Sequence, residues 1–313
     1  MRLAHAILER GVLTTANGAL KKISSIVLID QIAPPVPIAD SRVSAVVGDI
    51  TDRGFLAGAI AADTESVFHL AAVVSGQAEA DFDIGMRVNL DATRSLLELC
   101  RNLKMPPKLV FTSSIAVFGG ALPPVLPDDQ IATPQGSYGA QKAMGELLVS
   151  DMSRKGFIDG RVLRLPTVTV RPGKPNKAAS SFASGMIREP LAGVAANVPV
   201  SPDTKMWVQS PDRVIENILM GHEIPAAHFP RSTRAISVPG ISVSIGEMAA
   251  SLRRVAGDEV ADRLTWNADQ AIENLVNTWP QAFSAERGRG MGMVADKNFD
   301  DIVRAHMRAM AAG

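Results

Sequence analysis

Residues 108–114 read Lys-Leu-Val-Phe-Thr-Ser-Ser, and residues 138–142 read Tyr-Gly-Ala-Gln-Lys. The first run is apolar until it breaks into hydroxyl residues, as a strand buried on both faces does on reaching the edge of a parallel sheet. The second opens a stretch of helical spacing over 137–154. Outward from this pair the alternation repeats. Ile26–Ile29, Val43–Val47, Ser66–Leu70 and Arg161–Leu165 read as strands, with helical patterns over 53–61 and 83–103 between them. Strand, helix, strand in this order predicts an α/β fold on a doubly wound parallel sheet.

After Arg171 the texture changes. Prolines, glycines and lysines interrupt the pattern (Arg-Pro-Gly-Lys-Pro-Asn-Lys), and shorter helices are expected near 180–188, 211–221 and 245–255. The expected organisation is a first domain over 1–170 and a smaller, interleaved α+β lobe over 171–313. A strand at Ala235–Val238, within 234–240, would return to the main sheet. The opening residues read as an amphipathic helix capped by Gly11.

With 313 residues, 46% of them hydrophobic, the chain can bury a large core. Its 32 basic and 32 acidic residues cancel, so no net field attracts nucleic acid or an anionic membrane. No apolar run reaches the roughly 18 residues of a membrane span. Cys100, the only cysteine, rules out an internal disulfide, agrees with a reducing cytoplasm, and reads as helix packing.

Tyr138 is the only tyrosine, and Lys142 stands one helical turn after it on the same face. A phenol of ordinary pKa about 10 needs a nearby cation to become a base near neutrality. The plain alternative is an exposed i,i+4 pair. Ser113 and Ser114 emerge at the carboxyl edge of the preceding strand, where ligands bind in open α/β folds; a turn serine is the alternative. Asp30, closing Ile-Val-Leu-Ile-Asp, suits ribose hydroxyls and repels a 2′-phosphate, which favours NAD over NADP, although it equally suits a turn. Gly48-Asp49-Ile50 can hold adenine. His69-Leu70-Ala71-Ala72 ends a strand with small residues, and His69 alone reads as a packed histidine. Asn89 is a poor helix former whose plain reading is an exposed polar position. Arg171, Lys174, Lys177, Ser180 and Ser181 lead into a helix start, a setting that binds anions or is merely a solvated basic loop. The scattered histidines give no metal-ligand spacing, and no metal is expected.

Taken together, Asp30, Gly48-Asp49-Ile50, His69-Leu-Ala-Ala, Asn89, Thr-Ser-Ser114 and Tyr138-x-x-x-Lys142 resemble, in order and spacing, the extended short-chain dehydrogenase/reductases, the NAD-dependent epimerase/dehydratase family. The resemblance covers essentially the whole chain. The run from Arg164 to Phe182 looks like the D-erythronate dehydrogenase branch, which oxidises a small sugar acid beside its carboxylate. It implies a Rossmann sheet with Tyr138 as general base, Lys142 lowering its pKa and holding the nicotinamide ribose, and Ser114 orienting the reacting oxygen. NAD would contact Asp30, Asp49, Ile50, Ala71, Asn89, Pro166 and Thr167 as well as Tyr138 and Lys142. Arg171, Lys177, Ser180 and Ser114 would hold the substrate. Similar enzymes pair as homodimers through the helices at 83–103 and 137–154.

One departure is large. Family members open with a strand and a Gly-x-x-Gly-x-x-Gly turn, whereas this chain begins at Arg-Leu-Ala, just after that turn. The expectation is a sheet lacking its first strand and pyrophosphate cradle, with strand edges exposed, and a start placed downstream of the true one. Two alternatives stay open. A nucleotide-sugar epimerase or dehydratase is opposed by Pro166-Thr167-Val168, where those enzymes usually carry Asn; a noncatalytic cofactor-sensing or interaction protein is the other.

Overall fold

The computed structural model describes residues 1–173, 180–230 and 232–311. Helix α1 (Arg2–Arg10) stops at Gly11, whose φ of 70° suits glycine and whose amide donates to the Ile7 carbonyl. A hairpin of β1 (Val12–Thr14) and β2 (Leu20–Lys22) leads to the parallel pair β3 (Ile26–Asp30) and β4 (Val43–Val47). The Asp52 carboxylate caps α2 (Arg53–Ala59), accepting from the Gly54 and Phe55 amides. Then come β5 (Ser66–His69), the short helices α3 (Ser75–Ala80) and α4 (Phe82–Gly85), a π-helical turn at Met86–Asp91, and α5 (Ala92–Arg101). Strand β6 (Lys108–Ser114), helix α6 (Ser137–Arg154) and strand β7 (Asp159–Leu165) follow.

Strands β5, β6 and β7 are parallel neighbours, with Ser114 opposite Leu165. The alternation of side chains explains why they are apolar throughout. Leu109, Phe111 and Val162 pack on one face with Leu97, Cys100 and Val149 of α5 and α6. Val110 and Leu163 face the other way, against Leu3 and Ile7 of α1 and Val214 and Ile218 of α8 (Pro211–Glu223).

Beyond β7 the chain forms β8 (Thr167–Val168), α7 (Ser181–Leu191), β9 (Ala196–Val198) and β10 (Lys205–Gln209), then α8. Strand β11 (Ala235–Ser237) pairs in parallel with β7, giving a four-stranded order β11-β7-β6-β5. β12 (Ile241–Ser244) joins β10 and β8 in a second sheet, under α9 (Ile245–Ala256), and β13 (Leu264–Trp266) pairs with β9. Met186, Ile187, Val208, Met248, Leu252 and Ile302 fill the core of this second region.

The parallel sheet is in two hydrogen-bonded parts. The Ile26 amide donates to the Arg42 carbonyl and the Asp30 carbonyl accepts from Gly48, so Ile26, Leu28 and Asp30 spend their main-chain groups on β4. Those of Val27 and Ile29 point the other way. The Lys108 amide donates to the Glu65 carbonyl, which by the same alternation leaves Ser66 and Phe68 facing away from β6. Between these two edges lies a cavity of about 720 Å³, walled by both strands and by Leu3, Ile7 and Leu13. No helix among the described residues is long and apolar enough to cross a membrane.

Candidate active site

The carboxyl ends of β5, β6 and β7 open on one edge of the sheet. Ser114 ends β6; its Oγ accepts from the Ala116 amide at 3.1 Å, which turns the chain into the short 3₁₀ turn Ile115–Val117. Tyr138 is the second residue of α6, and its phenol is hydrogen-bonded to Ser114. Gly139 makes that approach possible, because a Cβ there would fall on the Ala116 carbonyl.

One turn on, Lys142 is buried. Its Nζ donates to the Thr112 carbonyl at 2.9 Å and lies 4.6 Å from the Phe111 ring centroid and 5.8 Å from that of Tyr138. Burial brings its pKa down to about 8, against the opposing charge of Glu146. Burial pushes the Tyr138 phenol up to about 12, against the Ser114 hydrogen bond and the charge of Arg171. The sequence reading has Lys142 lowering the phenol; here desolvation outweighs the favourable groups, and the charge acting on the phenol is that of Arg171.

Glu146, a further turn along the same stripe, was not singled out in the sequence, although its spacing of four from Lys142 and eight from Tyr138 was the available signal. It takes Arg164 of β7 in a fork, Nε to Oε1 at 2.9 Å and Nη2 to Oε2 at 2.7 Å, and the Ser113 hydroxyl donates to Oε1 at 2.6 Å. All three residues are buried. The Arg164 guanidinium also stacks 4.8 Å from the Phe118 ring centroid.

His69 is a packed histidine. Its Nε2 bonds the Thr93 hydroxyl at 2.8 Å, and burial, with the charge of Lys142, lowers its pKa to about 3. Asn89 is not the exposed polar position of the plain alternative: it is buried in the π-helical turn, accepts from the Val73 amide at 2.9 Å, and donates to the Val73 carbonyl and to Gln141 Oε1 at 2.7 Å. It ties the loop after β5 to α6.

Asp30, Ile50 and Ala71 line the cavity between β3 and β5. Asp30 accepts from the Ile32 amide through Oδ1 at 3.1 Å, and its other oxygen has no partner among the described residues, which fits a ribose diol. Asp49 stands in the exposed turn alongside, its carboxyl held below the usual range by the Thr51 amide. Pro166 and Thr167 follow β7, with Thr167 paired to Val208. The Arg171 amide donates to Ser184 Oγ at 3.1 Å and its carbonyl accepts from Arg188 at 2.9 Å, so α7 fixes its backbone; burial, then the charge of Arg188, lowers its pKa. Ser180 is half-buried where α7 begins. Lys177, with Lys174, lies outside the described residues. Ser114 and Lys142 thus stand beside Tyr138, with the charge of Arg171 acting on its phenol, while Asp30, Ile50 and Ala71 line the β3–β5 gap.

A parallel α/β sheet carrying a serine, a tyrosine and a lysine at its carboxyl edge defines a class of nicotinamide-dependent proteins. The chain belongs to the NAD dependent epimerase/dehydratase family, whose model matches residues 3–208. It is 54% identical to a D-erythronate dehydrogenase of Cupriavidus necator over 98% of this chain and 94% of that one. To a D-erythronate dehydrogenase of Haemophilus influenzae it is 41% identical, over 90% of this chain and 89% of the other. A solved structure described as the nucleoside-diphosphate-sugar epimerase from Agrobacterium tumefaciens superposes with a TM-score of 0.91 at 38% identity, covering 100% of this chain and 91% of that one.

Proposed function

We propose that the protein is an NAD-dependent dehydrogenase that oxidises the C2 hydroxyl of a small sugar acid, D-erythronate or a near relative, to the 2-oxo acid. The observation that carries the reading is the phenol of Tyr138 bonded to Ser114 with the charge of Arg171 acting on it, in a chain 54% identical to an enzyme of that name. Arg171, with Ser180 and Lys177, takes the carboxylate. That places the neighbouring hydroxyl at Tyr138 and Ser114. Ser114 holds the reacting oxygen, and Tyr138 removes its proton as the C2 hydrogen departs with its electron pair. Bound NAD supplies the acceptor for that hydride. Lys142 holds the nicotinamide ribose, while Asp30, Asp49, Ile50 and Ala71 hold the adenosine end, Asn89 shapes the loop between, and Pro166 and Thr167 border the nicotinamide.

The same reading includes a homodimer, for which α6 offers Leu147, 72% exposed, and a cytoplasmic setting that keeps Cys100 a thiol. A nucleotide-sugar epimerase is the second reading, favoured by the 38% identity to the Agrobacterium structure. NADH formation from D-erythronate and NAD tests the proposal. Tyr138→Phe is expected to bind NAD and stay folded while losing about 10² to 10⁴ in turnover. A variant with near-normal turnover ends the mechanism, and stabilisation by UDP-sugars but not by aldonates moves the assignment to the epimerase.

A further inference from the structure

We propose that Glu146 is a positioning residue: gripped by Arg164 and Ser113, it fixes where α6 presents Tyr138 and Lys142 to Ser114. The inference rests on the dehydrogenase reading, since it concerns residues given their roles there. Apolar packing alone fixes the height of a helix over a sheet better than its rotation or register. Here a single carboxylate takes hydrogen bonds from two strands at once, Ser113 of β6 and Arg164 of β7. Ser113 immediately precedes Ser114, and Arg164 stands two residues before Pro166. The carboxylate therefore ties together the three elements that deliver the reacting oxygen's partner, the base and the nicotinamide border. A forked arginine–carboxylate pair also fixes the orientation of both planes.

Stability does not explain the pair. Two charges are withdrawn from water, and well-packed apolar residues of similar volume often do as well or better in such a place. The surroundings of Lys142 give the charge a use. On its own helix the ammonium lies 5.8 Å from the Tyr138 ring centroid and feels the charge of Glu146 one turn on; β6 presents the Thr112 carbonyl and the Phe111 ring, and β5 presents His69, kept neutral by burial. From β7 comes Arg164, behind Glu146. Among these described neighbours Glu146 is the anion.

Two variants of the pair test this by the direction of their effects. Glu146→Gln keeps the shape and can still accept from Ser113, but leaves Arg164 as an uncompensated cation. Arg164→Met leaves Glu146 as an uncompensated anion. The Lys142 titration is read by carbon NMR of isotope-labelled lysine, assigned by the signal missing in Lys142→Met, and the pH dependence of kcat is read alongside. Glu146→Gln is expected to move the Lys142 titration and the alkaline limb of kcat down by about one pH unit, and Arg164→Met to move both up. Both variants are expected to lose about tenfold or more in kcat with KM for the sugar acid little changed. Unmoved titrations, shifts in one common direction, or loss of the fold in both variants would overturn the proposal and leave the pair a structural one. The NMR titration needs no turnover, so a wild-type protein that fails to reduce NAD ends the dehydrogenase reading while the clamp is still judged.

Discussion

Lys142 puts an ammonium where the fold alone gains little from its charge. It is buried, and its pKa of about 8 records that burial disfavours the charged form. The unfolded chain keeps this proton up to the ordinary 10.5, whereas the folded chain releases it from about 8. Between those values the unfolded state binds more protons, so stability rises with pH through that window. Lys142→Met is therefore expected to be more stable than wild type at pH 7, by up to about 3 kcal/mol, and to lose this advantage as pH approaches 10. Denaturant titrations of both proteins at pH 7, 8, 9 and 10 check it; parallel stability curves would show that the lysine is fully compensated in place. The same variant should not turn over. At this scale Tyr138, Lys142 and Ser114 were legible because local spacing and strand order suffice to bring them together. Burial of the phenol, the inward turn of Asn89 and the Glu146–Arg164 pair were not, since each depends on which distant residues close over a side chain.

Among the elements, α6 positions the site, and Gly139 is where it passes close against the turn after β6. A methyl there meets the Ala116 carbonyl, a main-chain group that cannot swing aside. Gly139→Ala is expected to destabilise the protein by about 1–3 kcal/mol despite alanine's better helix propensity, and to cut turnover by drawing Tyr138 away from Ser114. Thermal unfolding and kcat measured together check this; an unchanged melting temperature would mean that helix and turn separate freely. The bounds 137–154 of this helix were readable from its spacing. The single helix expected over 83–103 is instead α4, a π-helical turn and α5. Asn89 sits in that turn and bonds Val73 and Gln141, so a tertiary demand has altered the local helical register, and periodicity does not report such demands.

For the molecule as a whole, alternating apolar strands and helices were enough to read the parallel sheet, and the return of β11 to β7 was legible as an apolar run of its own. Exposed strand edges within the sheet were expected as well; which strands carry them was not, because hydrogen-bond partners of strands distant in sequence leave no local mark. The outcome is a sheet in two parts, and it has a mechanical consequence. Strand β6 is bonded on both edges and fully packed, with Val110 and Phe111 buried on opposite faces. Strands β3 and β5 are each bonded on one edge, and the amides of Val27, Ile29, Ser66 and Phe68 face the cavity between them. Amides in a doubly bonded, packed strand exchange only when large parts of the structure open, whereas amides facing a gap need little or no opening. Native-state hydrogen exchange is therefore expected to rank the four gap-facing amides at least about 10²-fold below Val110 and Val162 in protection. The amides of Leu28 and Val67, bonded on their outer sides, should fall between the two groups. If the gap-facing amides instead exchange as slowly as those of β6, the two parts are joined in solution and the cavity is closed. That result would put Asp30, Ile50 and Ala71 against a filled sheet rather than an open slot.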